Sequence, residues 1–424
     1  MTYGEILAHI YGLRRFGIRP GLERIATLLQ RLGNPQERLR VVHVAGTNGK
    51  GSTAAFLASI LAEGGYRAGL FTSPHLTRFT ERFRVNGREI AEESAARVAG
   101  QVLANAPEGT TFFEVVTAMA LLHFVEEGVD AAVLEAGMGG GADATSAATG
   151  ILTVITPVAL DHCEWLGDTI PAIAREKAGL IRAGRPVVLS RQPAGARDVF
   201  IERGRSLGAP LVCFGADFSA AWDESSLAYD GLSLQLAGLR PGIGGRYQSA
   251  NAATALAAAE ILADNGFRLD SSALRAGIDA ARWPGRMELL SGAPRVLLDG
   301  AHNPDGARAL ADSLTDYPRQ RLIVVTGVMS DKDAAGILAP VLPLAHEVVA
   351  VTPAVERSLD AGRLAELCRE KGLNAVAGGT VAEGLDLARQ RAGAQDLILV
   401  CGSLFTVGEA RAILLSQRYE PFRG

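Results

Sequence analysis

The sequence predicts an α/β protein of two domains, each built on a doubly wound, mostly parallel sheet. Short buried apolar runs alternate with helical segments along most of the chain, and glycine-rich turns separate them. At 424 residues the chain also exceeds what one domain usually holds. The helix-breaking segment 282–286 interrupts the series, and we therefore place the domains at residues 1–290 and 291–424.

The first domain opens its series at 41–52, where a buried strand passes through a glycine-rich turn into a helix. The alternation continues with strands at 66–72, 130–136, 151–158 and 186–190 and helices at 111–127 and 169–181. Around Asp230-Gly231, alternating residues predict an antiparallel hairpin over 226–239, and an alanine-rich helix follows at 250–265. Strands that alternate with helices predict a sheet covered on both faces.

A second strand and helix series begins at Arg295 and predicts a smaller, Rossmann-like domain. Its strands are the segments RVLLDGA, RLIVVTG, EVVAVTP, NAVAGG and DLILVCGS. Ligands of such sheets bind beyond the carboxyl ends of the strands. Asp299, His302, Gly327 and Ser403 therefore lie where chemistry is expected, in a cleft between the domains.

Composition excludes several classes of function. There are 42 lysines and arginines against 46 aspartates and glutamates, a net charge of −4 that argues against nucleic-acid binding as the main activity. No apolar run is long enough to cross a membrane, and Glu5 and His9 interrupt the core that a signal peptide needs. The four cysteines lie far apart, which argues against a zinc site or disulfide framework. We expect a cytoplasmic protein with small-molecule partners, binding neither nucleic acid nor membrane.

The segment 41–52, VVHVAGTNGKGS, predicts a phosphate cradle. Glycines allow the backbone to point N–H groups at an anion, Lys50 adds a positive charge, and the following helix presents its positive end. The usual P-loop spacing is not matched, because Val44 replaces its first glycine and Gly51 separates Lys50 from Ser52. A tight turn that needs glycine only for its geometry stays an alternative. The cradle residues are Gly46, Thr47, Asn48, Gly49, Lys50, Gly51 and Ser52.

Polar residues follow two of the predicted strands in the first domain. Glu135 ends an apolar strand, where a carboxylate is costly without a cation, and a metal ion would provide one. Asp161 and His162 follow the next strand, although a buried histidine without a metal stays equally open. Lys177 lies beside Glu176 on an amphipathic helix, which favours a solvated residue or an ion pair.

In the second domain, the segment DGAHNPDG follows a strand. Asn303 as N-cap and Pro304 at the first helical position are explained by the helix start alone. The helix start does not explain Asp299 and His302, and their position after a strand suits ligand contacts. Arg286, on the connector between the domains, is placed to act as a phosphate clamp across a cleft.

Together these residues fall in segments that resemble the folylpolyglutamate synthase and dihydrofolate synthase family of Mur-type ligases. The resemblance covers nearly the whole chain and is carried, in this order, by AGTNGKGS, FTSPHLTRFTERFRVNG, TFFEVVTAMA, LEAGMGG, LDHCEWLGDT, REKAGLI, RWPGRME, DGAHNPDGA, GVMSDKD and CGSLFTVGEAR. It implies a P-loop-containing first domain with an ATP site and a pterin-side pocket, and a glutamate-ligase-type second domain.

The activity that the resemblance implies is ATP-dependent addition of L-glutamate to dihydropteroate and to the glutamate tail of reduced folates. The γ-phosphate of ATP would pass to a substrate carboxylate, and the amine of glutamate would displace phosphate from the acyl phosphate. Such chemistry needs positioning and charge neutralisation more than a nucleophilic side chain. The sequence offers no clear base for the amine. A monomer is expected.

The resemblance also implies roles for individual residues. The cradle, Asn251, Arg286 and Asp299 would bind ATP, and the catalytic residues would be Lys50, Glu135, His162, Lys177 and Arg286. Two Mg²⁺ ions would be held by Ser52, Ser73, Glu135, His162 and Lys177, the lysine being N-carboxylated and thus an oxygen ligand. The pterin side of the substrate would contact Gly21, Thr111, Phe112, Phe113, Glu114, Ala142, Asp143 and Ala144. His302 and Ser403 would contact the glutamate or the phosphate.

The chain departs from the family in one segment. Many relatives read GGRLDATN where this chain has GGGADATS, so Gly141 replaces an arginine and Ser146 an asparagine. Contacts to the pterin or its tail are the ones affected, whereas Glu135, His162 and Lys177 keep the family spacing.

Three other functions share features with this sequence. A folylpolyglutamate synthase without dihydropteroate activity differs only in its first substrate. A cell-wall Mur ligase shares the cradle, but too few residues precede Gly46 for its nucleotide-sugar domain. A P-loop nucleotide-binding protein without ligase chemistry would not require Asp299 and His302 to face a cleft.

Overall fold

The computed structural model describes residues 2–13 and 21–421. In the first domain, eight strands form one sheet: β1 (Val41–Ala45), β2 (Ala68–Phe71), β3 (Phe83–Val85), β4 (Arg88–Glu89), β5 (Ala131–Glu135), β6 (Gly150–Ile155), β7 (Val187–Leu189) and β8 (Leu211–Cys213). Their order is β4-β3-β2-β5-β1-β6-β7-β8. The pairs β2/β3 and β3/β4 are antiparallel and the other pairs parallel, so the sheet is mostly parallel as predicted.

Helices cover both faces of this sheet. Along it they are α1 (Tyr3–Gly12), α2 (Glu23–Arg31), α3 (Lys50–Glu63), α4 (Glu92–Asn105), α5 (Phe112–Glu126), α6 (Cys163–Leu166), α7 (Ile170–Ala178) and α8 (Ala194–Ser206). Side chains of β1 alternate between the faces: Val42 and Val44 pack with α3, whereas Val41 packs in the cluster of α1, α2, α4 and α5. Because both faces are buried, β1 reads as a continuous apolar run apart from His43.

A small antiparallel sheet follows, with strands β9 (Ser219–Asp223), β10 (Ser226–Asp230) and β11 (Gln235–Leu239) in the order β11-β10-β9. The predicted hairpin is present as β10 and β11, and β9 was not predicted. Two helices come next, α9 (Gln248–Asp264) and α10 (Ser271–Ala280). Leu227, Tyr229 and Leu236 of the small sheet share one apolar cluster with α3 and α9.

The second domain contains a sheet of six strands, β12 (Glu288–Leu290), β13 (Arg295–Leu298), β14 (Leu322–Thr326), β15 (Glu347–Thr352), β16 (Ala375–Thr380) and β17 (Leu397–Cys401). Its order is β12-β13-β17-β14-β15-β16, and only β12 is antiparallel to its neighbour. The helices are α11 (Pro304–Ser313), α12 (Ala334–Leu338), α13 (Ala361–Glu370), α14 (Val381–Arg391) and α15 (Leu404–Leu414). The predicted fold class, two doubly wound α/β domains of which the second is smaller, is confirmed.

In both sheets, residues that follow the carboxyl ends of parallel strands line one common cavity, among them residues after β1, β5, β6, β13 and β17. The predicted division between residues 290 and 291 stays a prediction, and we note that β12 already pairs with β13. No helix of the described residues is both long and apolar enough to cross a membrane.

Candidate active site

A cavity of about 1410 Å³ lies between the two domains. Gly327, which the sequence placed in the cleft, does not line it. The other residues named as site residues from the sequence do: Gly21, Gly46, Thr47, Asn48, Gly49, Lys50, Gly51, Ser52, Ser73, Thr111, Phe112, Phe113, Glu114, Glu135, Ala142, Asp143, Ala144, His162, Lys177, Asn251, Arg286, Asp299, His302 and Ser403. Residues 14–20, just before Gly21, lie outside the described part of the chain. The structure therefore brings the predicted residues together, and their individual roles stay predictions.

The glycine-rich loop connects β1 to α3 at one wall of the cavity. Gly49 is the N-cap of α3, with φ of 87°, a conformation that favours glycine. It supplies no side chain to cap the first turn, so the N–H groups of that turn are available to an anion. The Lys50 ammonium donates to the carbonyl oxygens of Gly46 (3.3 Å) and Thr47 (3.1 Å), and its charge is held over the loop.

Gly51, the residue that breaks the usual P-loop spacing, packs against the indole of Trp283. A Cβ built at this position would lie 2.9 Å from Trp283 Nε1 and 3.0 Å from Cζ2. Trp283 belongs to the connector between the domains, and its ring is rigid. The extra glycine is thus needed for the connector to pass close to the start of α3.

We expect Gly51→Ala to destabilise the protein by about 1–3 kcal/mol through overpacking and to raise the KM for ATP. Urea unfolding and initial rates measure both effects. Trp283→Leu in the same chain should relieve part of the loss, because the pair is in contact. Gly100→Ala is the control, since Gly100 lies inside α4 with no atom within 4 Å of its built Cβ. Equal effects at the two glycines would contradict the explanation.

Glu135 and Ser73 form the corner of the cavity next to the loop. Glu135 is buried at the end of β5, and its Oε2 accepts a hydrogen bond from Ser73 N–H at 3.1 Å. Burial raises the pKa of its carboxyl group, and the charges of Lys50, Arg286 and Arg82 oppose that rise. Arg82 is a cavity residue that the sequence analysis did not single out, although it lies in the segment TERF.

Lys177 is buried, and the prediction of a solvated lysine is wrong. Its side chain extends from α7 into the protein, where Nζ donates to Met138 O at 2.9 Å, and the residue is 3% exposed. Burial, together with the charge of Lys50, lowers the pKa of the amine to about 7. A large fraction of the amine is therefore uncharged near neutral pH. Nothing in the local sequence signals this, because the contact with Met138 comes from a distant loop.

Asp161 joins the two domains within the cavity. Its Oδ1 accepts from Lys332 Nζ at 2.7 Å, and its Oδ2 lies 3.7 Å from His302 Nε2 and 4.0 Å from His162 Nε2. Burial raises the pKa of Asp161, but its histidine and lysine neighbours outweigh that effect and the pKa is lowered. Lys332 is a second cavity residue that sequence reasoning missed, despite its place in the segment GVMSDKD.

His162 sits beside Asp161 in a left-handed backbone conformation, with φ of 51°. Burial lowers the pKa of its imidazole, and Lys332 and Lys50 act in the same direction while Asp161 opposes them. The neutral ring that results is the form that binds a metal ion.

Asn48 and Asn303 connect the loop of the first domain to the start of α11. Asn303 Nδ2 donates to Asn48 Oδ1 at 2.9 Å, and Asn48 Nδ2 donates to Asn303 Oδ1 at 3.3 Å. Asn303 Oδ1 also caps α11 by accepting from Gly306 N–H at 2.8 Å. The cap predicted from sequence is confirmed, and the same side chain also spans the cleft.

Arg286 and Asp299 lie where the connector enters the second domain. Asp299 accepts hydrogen bonds from Tyr247 Oη (2.9 Å), Met287 N–H (3.0 Å) and Ala301 N–H (2.9 Å). Burial raises the pKa of Asp299 and Arg286 opposes the rise, as it does for Glu135. The guanidinium thus acts on carboxylates of both domains.

The remaining predicted contacts have clear local partners. Asn251 Nδ2 donates to Gln248 Oε1 (2.8 Å), and Gln248 Nε2 donates to Ser52 Oγ (3.2 Å), so α9 is tied to the loop. His302 Nδ1 donates to Gly300 O at 2.9 Å, because a carbonyl can only accept. Ser403 is the N-cap of α15 and accepts from Thr406 N–H at 3.0 Å.

An aromatic pocket, formed around Phe112 and Phe113, belongs to the same cavity, and Phe113 lies next to Gly137 in the loop after β5. Phe112 stacks on Tyr11 with ring centroids 5.9 Å apart. Thr111 and Glu114 form a capping box at the start of α5, which explains these two residues structurally. Asp143 accepts from the N–H groups of Gly137, Met138 and Thr145 and so shapes the loop after β5.

The two residues that depart from the family contact each other. Ser146 Oγ donates to Gly141 O at 2.8 Å, and Arg182 Nη2 donates to Ser146 O at 2.8 Å. The loop after β5 is thereby held against the segment that follows α7.

Comparison with known proteins identifies the family. The Mur ligase middle domain matches residues 44–259, and the Mur ligase glutamate ligase domain matches residues 285–404. A probable bifunctional folylpolyglutamate synthase/dihydropteroate synthase of Haloferax volcanii is 38% identical over 97% of this chain, which spans 50% of that relative. The dihydrofolate synthase/folylpolyglutamate synthase of Bacillus subtilis is 34% identical over 97% of this chain and 98% of the relative.

Solved structures agree with this result. E. coli FolC in complex with DHPP and ADP has a TM-score of 0.90 and 33% identity, covering 97% of this chain and 98% of that one. A bifunctional folylpolyglutamate synthase/dihydrofolate synthase with Mn, AMPPNP and L-glutamate bound has a TM-score of 0.86 and 34% identity, covering 97% and 98%. With its glycine loop, its buried Glu135 and Lys177 and its cleft between two α/β domains, this chain belongs to the dihydrofolate synthase/folylpolyglutamate synthase family of Mur ligases.

Proposed function

We propose that this protein is an ATP-dependent amide ligase that adds L-glutamate to dihydropteroate and to the glutamate tail of reduced folates. One observation carries the proposal: a single cavity connects the glycine-rich loop, Glu135 and Lys177, and the aromatic pocket around Phe112. A nucleotide and an aromatic acid bound at its two ends would meet near Glu135. The pterin ring suits an aromatic pocket, since stacked rings are stabilised beyond the area that they bury.

ATP would bind with its phosphates at the N-terminus of α3, where the N–H groups of the first turn and Lys50 stabilise negative charge. Asn251, Arg286 and Asp299 would contact the same nucleotide. Solved relatives contain ADP or AMPPNP, and we extend that ligand class to this chain.

A divalent metal ion fits the oxygen atoms near Glu135. No group of three or more histidine, cysteine, aspartate or glutamate side chains in the described residues could hold a metal ion alone. Mg²⁺, however, is usually bound by one or two carboxylates together with phosphate oxygens and water. Ser52, Ser73 and Glu135 would hold one ion, and His162 and N-carboxylated Lys177 a second. Bound there, the ions would neutralise charge on the phosphates.

The reaction would proceed in two balanced steps. A carboxylate oxygen of the pterin substrate attacks the γ-phosphorus of ATP, the bond to the bridging oxygen breaks, and ADP leaves. The amine of L-glutamate then attacks the acyl carbon, phosphate leaves, and the nitrogen loses a proton. Lys50 and Arg286 stabilise negative charge in the first step. His302 and Ser403, on the second domain, would contact the incoming glutamate or the phosphate.

The test is incorporation of labelled L-glutamate by purified protein with Mg-ATP. Dihydropteroate and a tetrahydrofolate are offered in separate tubes, and tubes without ATP serve as the control. We expect ATP-dependent incorporation with both acceptors, each matched by release of ADP. Incorporation with the folate alone would instead indicate a folylpolyglutamate synthase, and ATP hydrolysis without incorporation in either tube would contradict a ligase.

We also propose that the protein acts as a cytoplasmic monomer. Size-exclusion chromatography with light scattering, at the concentration of the assay, tests whether the protein is a monomer.

A further inference from the structure

The C-terminal segment 416–421 leaves α15 and binds to the first domain. Glu420 N–H donates to Thr77 O at 2.8 Å. The carboxylate oxygen Oε2 of Glu420 accepts from Tyr3 Oη at 3.0 Å and from Phe79 N–H at 2.9 Å, and the residue is buried. The segment is therefore bound to the loop 72–82, which also carries Ser73 and Arg82.

His75 links this segment to Arg82. Its Nε2 lies 2.7 Å from Glu420 O, and its Nδ1 lies 3.0 Å from Arg82 Nε. A carbonyl oxygen only accepts and an arginine only donates. His75 must therefore donate from Nε2 and accept at Nδ1, so that its ring is neutral and its orientation is set from both sides.

Arg82 lies near both the aromatic pocket and Glu135. It is 1% exposed yet belongs to the cavity wall. Its guanidinium carbon is 5.4 Å from the centroid of the Phe112 ring in the aromatic pocket. Its charge also reaches Glu135 at the nucleotide end, where it helps to keep the pKa of that buried carboxyl group from rising further.

A substrate whose ring occupies the aromatic pocket must extend its carboxylate past this point toward the γ-phosphate. Two anions then approach each other, and a cation between them lowers the cost. The planar guanidinium group suits a carboxylate because it can donate two parallel hydrogen bonds.

We propose that Arg82 binds the carboxylate of the pterin substrate that is to be phosphorylated, and that His75 and the C-terminal segment are positioning residues for its guanidinium. The proposal deepens the function proposed above and rests on it. It assigns to the end of the second domain a structural role in the substrate site of the first.

The first test measures binding without turnover. Titration calorimetry without ATP compares dihydropteroate with the analogue that lacks the carboxylate. We expect the wild-type protein to prefer the carboxylate by roughly 10- to 100-fold, as for a charged hydrogen bond. Arg82→Met should lose this preference, and Arg82→Lys should keep part of it because the charge remains. Circular dichroism checks that both variants are folded.

The second test addresses the positioning residues. His75→Leu, and a chain that ends at Tyr419, should raise the KM for dihydropteroate about 10-fold and leave the KM for ATP unchanged. His75→Gln should retain more activity than His75→Leu, since an amide offers one donor and one acceptor. In the Arg82→Lys background, His75→Leu should add nothing, because lysine has no Nε–H group to position. A chain that ends at Pro421 is the matched control.

Two results would overturn the proposal. An unchanged preference for the carboxylate in Arg82→Met would show that another group binds it. Equal increases in both KM values for His75→Leu and the shortened chain would show that the segment only stabilises the fold. If the wild-type protein binds neither compound, the proposed function itself fails, and that outcome is distinct from the other two.

Discussion

Lys177→Ala is expected to lower the rate of glutamate ligation by on the order of 10³-fold, the scale of losing a group that stabilises charge in the transition state. The reason is the position of the amine, which is buried beside the loop after β5 and donates to Met138 O. Once N-carboxylated, this side chain would carry the oxygen atoms that a metal ion needs. Initial rates with dihydropteroate and with a folate measure the loss.

N-carboxylation of Lys177 should be directly detectable. Only the uncharged amine reacts with carbon dioxide, and the pKa of Lys177 is lowered to about 7. At a fixed concentration of dissolved carbon dioxide, a carbamate signal from ¹³C-labelled bicarbonate should thus be present above pH 7 and decline as the pH falls below it. An ordinary lysine, with a pKa near 10.4, would show little of this signal at neutral pH.

Lys371→Ala is the matched control, because Lys371 is an exposed lysine of the second domain. It should leave both the rate and the carbamate signal unchanged. Short carboxylates added to Lys177→Ala should restore part of the activity. Full activity of Lys177→Ala, or a carbamate signal that persists in it, would show that Lys177 does not have this role.

Glu135→Gln should separate catalysis from stability. Glutamine keeps an oxygen that can accept from Ser73 N–H, as Glu135 Oε2 does now. It also removes a buried charge whose desolvation is unfavourable. We expect ligation to fall by on the order of 10³-fold while the Tm of the ligand-free protein stays the same or rises. Added Mg-ATP should stabilise this variant less than it stabilises the wild type.

The matched control is Glu260, which is also buried but lies in the small-sheet region of the first domain. It accepts hydrogen bonds from Tyr229 Oη (2.7 Å) and from Ser233 N–H (2.8 Å). Glu260→Gln should lower the Tm and leave the KM for Mg-ATP unchanged. A lower Tm together with normal ligation in Glu135→Gln would assign Glu135 to the fold.

Most of the fold could be predicted because the strands are buried on both faces. The strand of segment 41–52 is found at Val41–Ala45, and the five predicted strands of the second domain are all present. The missed strands are short and partly exposed: Phe83–Val85, Arg88–Glu89, Leu211–Cys213, Ser219–Asp223 and Glu288–Leu290. Such segments lack the apolar run that marks a buried strand.

The residues of the candidate site also fall into those that the sequence could identify and those that it could not. The glycine loop and the polar residues at strand ends could be named from sequence, because backbone geometry and strand polarity determine where they lie. The local sequence predicted a solvated Lys177, because its contact with Met138 comes from a distant loop. It predicted only a helix cap at Asn303, because Asn48, which Asn303 also contacts, is distant in the chain.

The sequence by itself determined the two α/β domains, the glycine-rich loop and the family, because these depend on periodicity, glycine spacing and ordered motifs. Tertiary structure alone decided which pKa values are shifted, which residues of the two domains meet, and that Glu420 contacts His75, which in turn contacts Arg82. Burial and contacts between distant segments set these properties, since the free energy of a charged group depends on everything that surrounds it.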